Sequence, residues 1–409
     1  MDVVLRPITE DEYREFTRVM EGAFGYHVSD EALARFRSVA ELDRTIAAFE
    51  GDEIVATAGA YSMELTLPGG RLEAAAGVTY VGVRNTHRRR GLLRQMMDHQ
   101  IDDIADRGES LALLTASEGS IYRRFGYGPA SFQANWRLPT EGTSLVRPPD
   151  NGGRLRQVTR SEAEPMLPKA YERCRPQITG AINRTAAWWD IYFKDPEWER
   201  DGASARFYVL HESATGEIDG YLAFRQRRSW EHGLASNTII IDELYGMTPE
   251  IEAALWAHVI DHDLVRTVEA PGRPVDDPIR WRLADSRRLM CTDLVDALWV
   301  RPMDIPSALA ARCYATDDAL AIAVVDQFRP ANDGTYLVEG TPDGASASRC
   351  DRAPDLTMDI ADLGAIYLGG TPPTSLACGG RITEGSTGAL RRADAFFAAH
   401  PLPWLTTGF

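Results

Sequence analysis

Three consecutive arginines, Arg88, Arg89 and Arg90, followed by Gly91, stand between an apolar run, Val78-Thr79-Tyr80-Val81-Gly82-Val83, and a segment in which Leu93, Met97, Ile101 and Ile104 recur at helical spacing. This order predicts a strand that passes directly into a cationic helix start, with the arginines and Gly91 in the first helical turn. The leading N–H groups of a helix have no intrahelical partner and the macrodipole is positive there, so an anion is stabilised. Guanidinium groups add charge-assisted hydrogen bonds, and a glycine lets the anion approach the backbone. The expected chemistry is capture of a pyrophosphate. An isolated basic cluster is more often a solvated face, but the strand before it and a chain net charge of −16 weigh against that here. No G-x-G-x-x-G stands at this turn, so a dinucleotide is not the expected ligand.

Two further groups could do chemistry. Tyr127 sits between glycines in Phe125-Gly126-Tyr127-Gly128, where close approach of a ligand to the backbone is possible; a tyrosine packed at a strand edge has the same local sequence. The chain closes with Pro401-Leu402-Pro403-Trp404-Leu405-Thr406-Thr407-Gly408-Phe409. A frayed tail gains nothing from so many apolar residues, so docking is expected.

These residues need a scaffold of mixed strands and helices. A short strand at Val3–Leu5 precedes Thr9-Glu10-Asp11-Glu12, which fits a capping box, and Tyr13, Phe16, Met20 and Phe24 continue as an apolar stripe. Thr45–Glu50 and Glu53–Leu67 read as strands, and Pro68-Gly69-Gly70 turns the chain into another at Arg71–Ala76. After the Val78–Val83 strand and its helix come a strand at Leu111–Thr115, a short helix near Ser120–Phe125 and a strand through Phe132, Ala134 and Trp136. Pro139–Gly153 reads as a linker. Beyond it, strands at Phe207–Leu210, Tyr221–Phe224 and Thr238–Leu244 lead to a helix carrying Ile251, Leu255, Val259 and Ile260. That helix opens with Met247-Thr248-Pro249-Glu250, and an acid at its start would repel a phosphate. From about Leu294, strand-like runs at Ala321–Val325 and Thr335–Val338 precede helical segments at Asp359–Tyr367 and Ala389–Ala399.

At 409 residues the chain is too long for one ordinary core and predicts two or three domains. It contains no apolar run long enough for a membrane span, and Met1-Asp2-Val3-Val4-Leu5-Arg6 is not a basic-then-apolar leader, so a cytoplasmic location and no membrane partner are expected. The five cysteines are scattered and never spaced C-x-x-C, which predicts neither a disulfide framework nor a metal. The acidic balance argues against nucleic acid as a partner and is compatible with a cationic substrate.

Arg88 and Gly91 stand at the spacing Arg/Gln-x-x-Gly-x-small, which resembles motif A of the GCN5-related N-acetyltransferases, where this loop wraps the pyrophosphate of coenzyme A; Leu93 departs from the small final residue. The segment Ala116-Ser117-Glu118-Gly119-Ser120-Ile121-Tyr122-Arg123-Arg124-Phe125-Gly126-Tyr127-Gly128-Pro129-Ala130, taken with Thr86–Arg94, is similar to the enhanced intracellular survival (Eis) family, which accepts leucine there. The similarity is dense over the first third of the chain and thinner beyond.

That resemblance implies an α+β / α/β architecture: two GCN5-related N-acetyltransferase-like domains, 1–150 and a degenerate 151–293, then a sterol carrier protein-like α+β domain, 294–409. It implies acetyl-CoA as cosubstrate, without a metal, and a homohexamer. Backbone groups of Val81, Gly82 and Val83 are expected along the pantetheine arm, and Arg89, Arg90, Gly91, Leu92, Leu93 and Arg94 around the pyrophosphate, with Tyr122 and Arg123 near the cofactor. Tyr127 matches the family's general acid and the main-chain carboxylate of Phe409 its base; anchoring of Phe409 in an apolar groove is the structural alternative. At the family's acceptor pocket, Tyr26, Phe36 and Gly408 replace an Asp, a Trp and a Glu, so charge is lost while aromatic stacking can persist. The activity implied is acetylation of primary amines, aminoglycosides first. A non-catalytic acyl-CoA or lipid-binding sensor or carrier is the competing reading.

Overall fold

The computed structural model describes residues 3–150 and 152–409; Met1 and Asp2 of the N-terminal reading and Asn151 of the linker lie outside the described residues. The chain forms two compact units. The first contains residues up to Ser131, Ala297–His400 and Thr407–Phe409; the second contains Phe132–Asp296 and Pro401–Thr406.

In the first unit, strands β1 (Val4–Arg6), β2 (Thr45–Glu50), β3 (Glu53–Thr66), β4 (Leu72–Val83), β5 (Leu111–Leu114) and β6 (Gly128–Pro129) form a sheet with the later Trp299–Pro302 strand. The order is β1-β2-β3-β4-β5, then Trp299–Pro302, then β6. The sequence pattern predicts two strands here, one ending at Ala76 and one starting at Val78, but β4 is a single strand. It is continuous, because a bulge takes up the irregularity: Thr57 and Gly59 of β3 face Gly82 and Thr79, leaving one extra residue on β4, and Tyr80 has φ +58°. The Phe132–Pro139 strand, read as following on from the first region, pairs instead in the second sheet.

Helix α1 (Tyr13–Phe24) buries Tyr13, Phe16, Thr17 and Val19, while Phe24, expected on its apolar stripe, is 47% exposed. The helix starts three residues later than the expected capping box would place it: Glu12, not Thr9, occupies the N-cap position, with no side-chain cap, and its carboxylate accepts the Thr9 N–H at 2.8 Å in the preceding turn. Helix α2 (Asp30–Arg37) follows, capped by Ser29. Helix α3 (Leu92–Asp106) buries Leu92, Met96, Met97, Ile101 and Ile104 against the sheet. A one-turn helix, α4 (Gly119–Tyr122), and a 3₁₀ turn at Arg123–Phe125 lead into β6.

The same unit holds a five-stranded sheet built from Asp318–Val325, Gly334–Thr341, Gly344–Cys350, Leu356–Asp359 and Ile382–Glu384, with its own core around Leu320, Ile322, Val338, Leu363 and Phe396. Its Ile360–Ile366 helix packs against β6 so closely that a Cβ on Gly128 would lie 1.8 Å from the Ala361 oxygen.

The second unit is a seven-stranded sheet whose central strands, Asn237–Gly246 and Val265–Arg273, run parallel. The Pro249–Ile260 helix connects them and buries Ile251, Leu255, Trp256 and Val259 in the core. Trp404, which belongs to this unit, is buried against Tyr245 at 5.5 Å between ring centroids, and its backbone N–H donates to the Thr179 oxygen at 2.8 Å. All five cysteines are free. Among the described residues, no helix is long and apolar enough to cross a membrane.

Candidate active site

The site opens where two parallel strands part. Only Ala75–Gly77 of β4 pair with Leu111–Leu113 of β5. Beyond that point the bulge at Tyr80 turns β4 away, so the backbone from Val78 onward and the residues after Leu114 line a wedge instead of a ladder.

One cavity, of about 680 Å³, runs from this wedge to the start of α3. Val81, Gly82 and Val83 supply one wall, and Arg88, Arg89, Gly91 and Arg94 the cationic end. The arginines do not lie in the first helical turn, as the stripe spacing suggested. They form the loop ahead of Gly91, which is the N-cap residue at φ +82°, a conformation that favours glycine. Arg89 itself is at φ +63°, a backbone state that a non-glycine residue adopts at some cost and that recurs at functional loops. The helix start carries no side-chain cap and no acid in its first turn, so its leading N–H groups remain available to an anion.

The corresponding helix of the second unit is built against that use. Thr248 caps it by accepting from the Ile251 N–H at 3.3 Å, Pro249 removes a donor, and Glu250 and Glu252 stand in its first turn. This start would repel a phosphate, as the sequence predicted.

Not every expected cofactor residue faces the first cavity. Leu92, Leu93 and Tyr122 do. Arg90 instead donates to Glu50 at 2.5 Å, with His87 on the other Glu50 oxygen at 3.1 Å, and the two hold the Glu50 carboxyl below its ordinary range. Arg123 spans both oxygens of Asp362 at 2.9 and 3.0 Å. Arg88 and Arg124 line the cavity in their place. Local spacing could not separate Arg88 from Arg90, because the difference lies in the reach of Glu50 from β2.

A second cavity, of about 280 Å³, shares Phe24, Val81, Ser117 and Tyr122 with the first. Its remaining wall includes Tyr80, Thr115 and Phe409. Thr115 Oγ1 donates to the main-chain oxygen of Phe409 at 3.3 Å. The Phe409 ring lies against Gly77, where a Cβ would come within 3.2 Å of it and 2.5 Å of the Met63 sulfur. Tyr26 and Phe36 line neither cavity; Tyr26 is 43% exposed, its ring 6.3 Å from that of Phe24. The sequence pattern presents Phe24 only as a stripe residue, and its exposure at the end of an otherwise buried face is what marks it in the structure.

Tyr127 is fully buried and does not line either cavity directly. It packs edge-on against Tyr122, which lines both, with ring centroids 6.3 Å apart. Among the described residues its hydroxyl has no hydrogen-bond partner. Burial pushes that hydroxyl's pKa above its ordinary value, the positive charge of Arg301 opposing the shift, so the group stays protonated at neutral pH.

Comparisons with known proteins identify the domains. Two acetyltransferase (GNAT) domain models match residues 4–130 and 180–302, and a sterol carrier protein domain matches 305–406. An uncharacterized N-acetyltransferase of Streptomyces coelicolor is 39% identical over 93% of this chain and 92% of its own. The N-acetyltransferase Eis of Mycobacterium tuberculosis is 32% identical over 98% of each chain. The structure of Eis1 from Mycobacterium abscessus is similar with a TM-score of 0.88 at 33% identity, covering all of both chains. These relatives set aside the sensor or carrier reading. The chain belongs to the Eis family of GCN5-related N-acetyltransferases, and is an N-acetyltransferase with two acetyltransferase folds and a sterol carrier protein-like domain.

Proposed function

We propose that this protein transfers the acetyl group of acetyl-CoA to primary amines, aminoglycosides first among them and at several positions, by direct attack on the thioester. The observation that carries the reading is the pair of cavities that meet at Phe24, Val81, Ser117 and Tyr122, one ending in arginines and the other containing Phe409.

Arg88, Arg89 and Arg94, with the free N–H groups at the start of α3, suit the pyrophosphate. The backbone of Val81–Val83 suits the pantetheine arm, which directs the thioester toward the second cavity. An alkylamine is protonated at neutral pH, with a pKa of about 10.4, so it must lose a proton before it can attack. The main-chain carboxylate of Phe409 takes that proton. The amine nitrogen then bonds to the thioester carbon, the carbon–sulfur bond breaks, the nitrogen gives up its remaining surplus proton to water to become the amide, and the sulfur leaves as coenzyme A thiol on receiving the Tyr127 proton, so one proton is released per turnover. Exchange with water returns Tyr127 and Phe409 to their starting states. A buried, unpartnered tyrosine hydroxyl beside the cavity wall is suited to donating once and recovering its proton.

The working form is proposed to be a homohexamer in the cytoplasm. The experiment that tests the activity is coenzyme A release from acetyl-CoA across aminoglycosides, polyamines and lysine peptides, with product masses recorded. Several acetyl increments on an aminoglycoside, each matched by one thiol released, are expected. Tight acetyl-CoA binding with aminoglycosides left unmodified, while another amine is consumed, would replace the substrate assignment.

A further inference from the structure

Arg301 is fully buried, and its guanidinium reaches in two directions. One nitrogen donates to the Phe125 main-chain oxygen at 2.7 Å, and the other to Asp326 Oδ2 at 2.6 Å. Both side chains of the pair are 0% exposed. A buried ion pair is seldom the most stabilising solution for a core, since well-packed apolar residues of similar volume often do as well or better. Its geometry here serves the turn that carries Tyr127. Gly126 lies between Phe125 and Tyr127 at φ +84°, and a Cβ there would sit 1.5 Å from Arg301 Nη1. Only glycine leaves room for the guanidinium to lie on this turn.

The anchor for Arg301 comes from the sterol carrier protein-like domain. Asp326 accepts the backbone N–H groups of Phe328 and Arg329 at 3.1 and 3.0 Å, and the Asn332 side-chain amide at 3.0 Å, so its carboxylate is held from four sides. The turn it caps touches the acetyltransferase domain at other points as well, Arg329 donating to the Ile101 oxygen at 3.3 Å. Phe328 packs edge-on against Phe125 at 5.0 Å, and Arg94, at the cationic end of the first cavity, lies 5.3 Å from the Phe328 ring centroid.

We propose that Arg301 and Asp326 are positioning residues for Tyr127: the pair clamps the Phe125-Gly126 turn and holds the Tyr127 ring against Tyr122 at the cavity wall. Through it the sterol carrier protein-like domain contributes to catalysis without touching substrate. This inference rests on the reading of Tyr127 as the proton donor.

A double-mutant cycle tests it. Arg301→Met removes the clamp while keeping an unbranched, buried side chain. It is expected to lower kcat about 10-fold to 100-fold, less than the roughly 100-fold to 10,000-fold of losing a general acid outright because the donor is displaced and not removed, with KM for acetyl-CoA changed less than about 2-fold and an intact folded state by near-UV circular dichroism. In a Tyr127→Phe background the same substitution should lower kcat no further. Asp326→Asn, which keeps the shape of the anchor, should show the same non-additivity with a smaller loss, and it serves if Arg301→Met does not fold. Losses that add in the Tyr127→Phe background, or an unchanged kcat, would overturn the positioning role while leaving the donor assignment intact. If Tyr127→Phe alone keeps full kcat, the donor assignment fails first and the positioning role with it.

Discussion

Thr115 Oγ1 donates a hydrogen bond to the main-chain oxygen of Phe409, joining two residues 294 positions apart in sequence. Thr115 is the first residue after β5, at the mouth of the wedge, and Phe409 enters that wedge against Gly77. The last residue of the sequence thus lies where β4 and β5 stop pairing, the place to which the first cavity leads.

If the Phe409 carboxylate is the base, its position matters more than its ring. Adding one alanine after Phe409 converts the carboxylate into an amide and should lower turnover by about 100-fold or more. Acetyl-CoA affinity, read by calorimetry, should stay within about 2-fold, because the arginine loop is untouched. Full turnover by the extended protein would assign Phe409 to anchoring alone.

Arg88, Arg89 and Arg90 are consecutive but not equivalent. Arg88 and Arg89 face the cavity, whereas Arg90 is committed to Glu50. Arg88→Ala and Arg89→Ala should each weaken acetyl-CoA binding by about 1.5–3 kcal/mol, the range for a charge-assisted hydrogen bond, and the effect should shrink at high salt. Arg90→Ala should change affinity by less than about 1 kcal/mol, as expected for a partly exposed ion pair. Equal losses at all three positions would contradict the orientation of the loop.

Gly77 provides the space that Phe409 uses. Gly77→Val places a Cβ 2.5 Å from the Met63 sulfur and 3.2 Å from the Phe409 ring, and adds two methyl groups beyond it. Overpacking of this kind costs about 1–3 kcal/mol, readable by urea unfolding. Turnover should fall more steeply than stability, since the ring that must move belongs to the residue proposed as the base.

Glu252 gives a pH signature to the second unit. Burial pushes its carboxyl from 4.5 up to about 7, with Arg273 nearby opposing the shift. Below about pH 4 the group is protonated folded or unfolded and contributes nothing. As pH rises from about 4.5 to 7 the unfolded chain loses the proton first, so stability falls until the folded group also ionises. A shift of this size is worth about 3 kcal/mol at full burial, and a side chain 23% exposed retains less of it. Glu252→Gln should therefore raise the unfolding free energy by about 1–2 kcal/mol at pH 8 and leave it unchanged at pH 4, measured by denaturant titration.

The sequence by itself determined the elements around the arginine loop and the sign of the charge that this helix start favours. An apolar strand, an arginine loop with Gly91 and an amphipathic helix are local patterns, and each depends on residues within a few positions of one another. The acid at Glu250 likewise marks the second repeat as unsuited to a phosphate, and the structure adds the Thr248 cap. Tertiary structure decided which side chains face the cavity. Arg90 turns to Glu50 and Arg123 to Asp362, partners 40 and 239 residues away. Phe24 enters both cavities while Tyr26 and Phe36 do not. The Phe132–Pro139 strand leaves for the second sheet, and Trp299–Pro302 takes a place between β5 and β6. Periodicity reports only that a face is apolar, not which distant surface covers it. The Arg301–Asp326 pair is invisible in the sequence for the same reason: Asp326 reads locally as the cap of its own turn, and the two charges are compensated only once separate parts of the chain pack together.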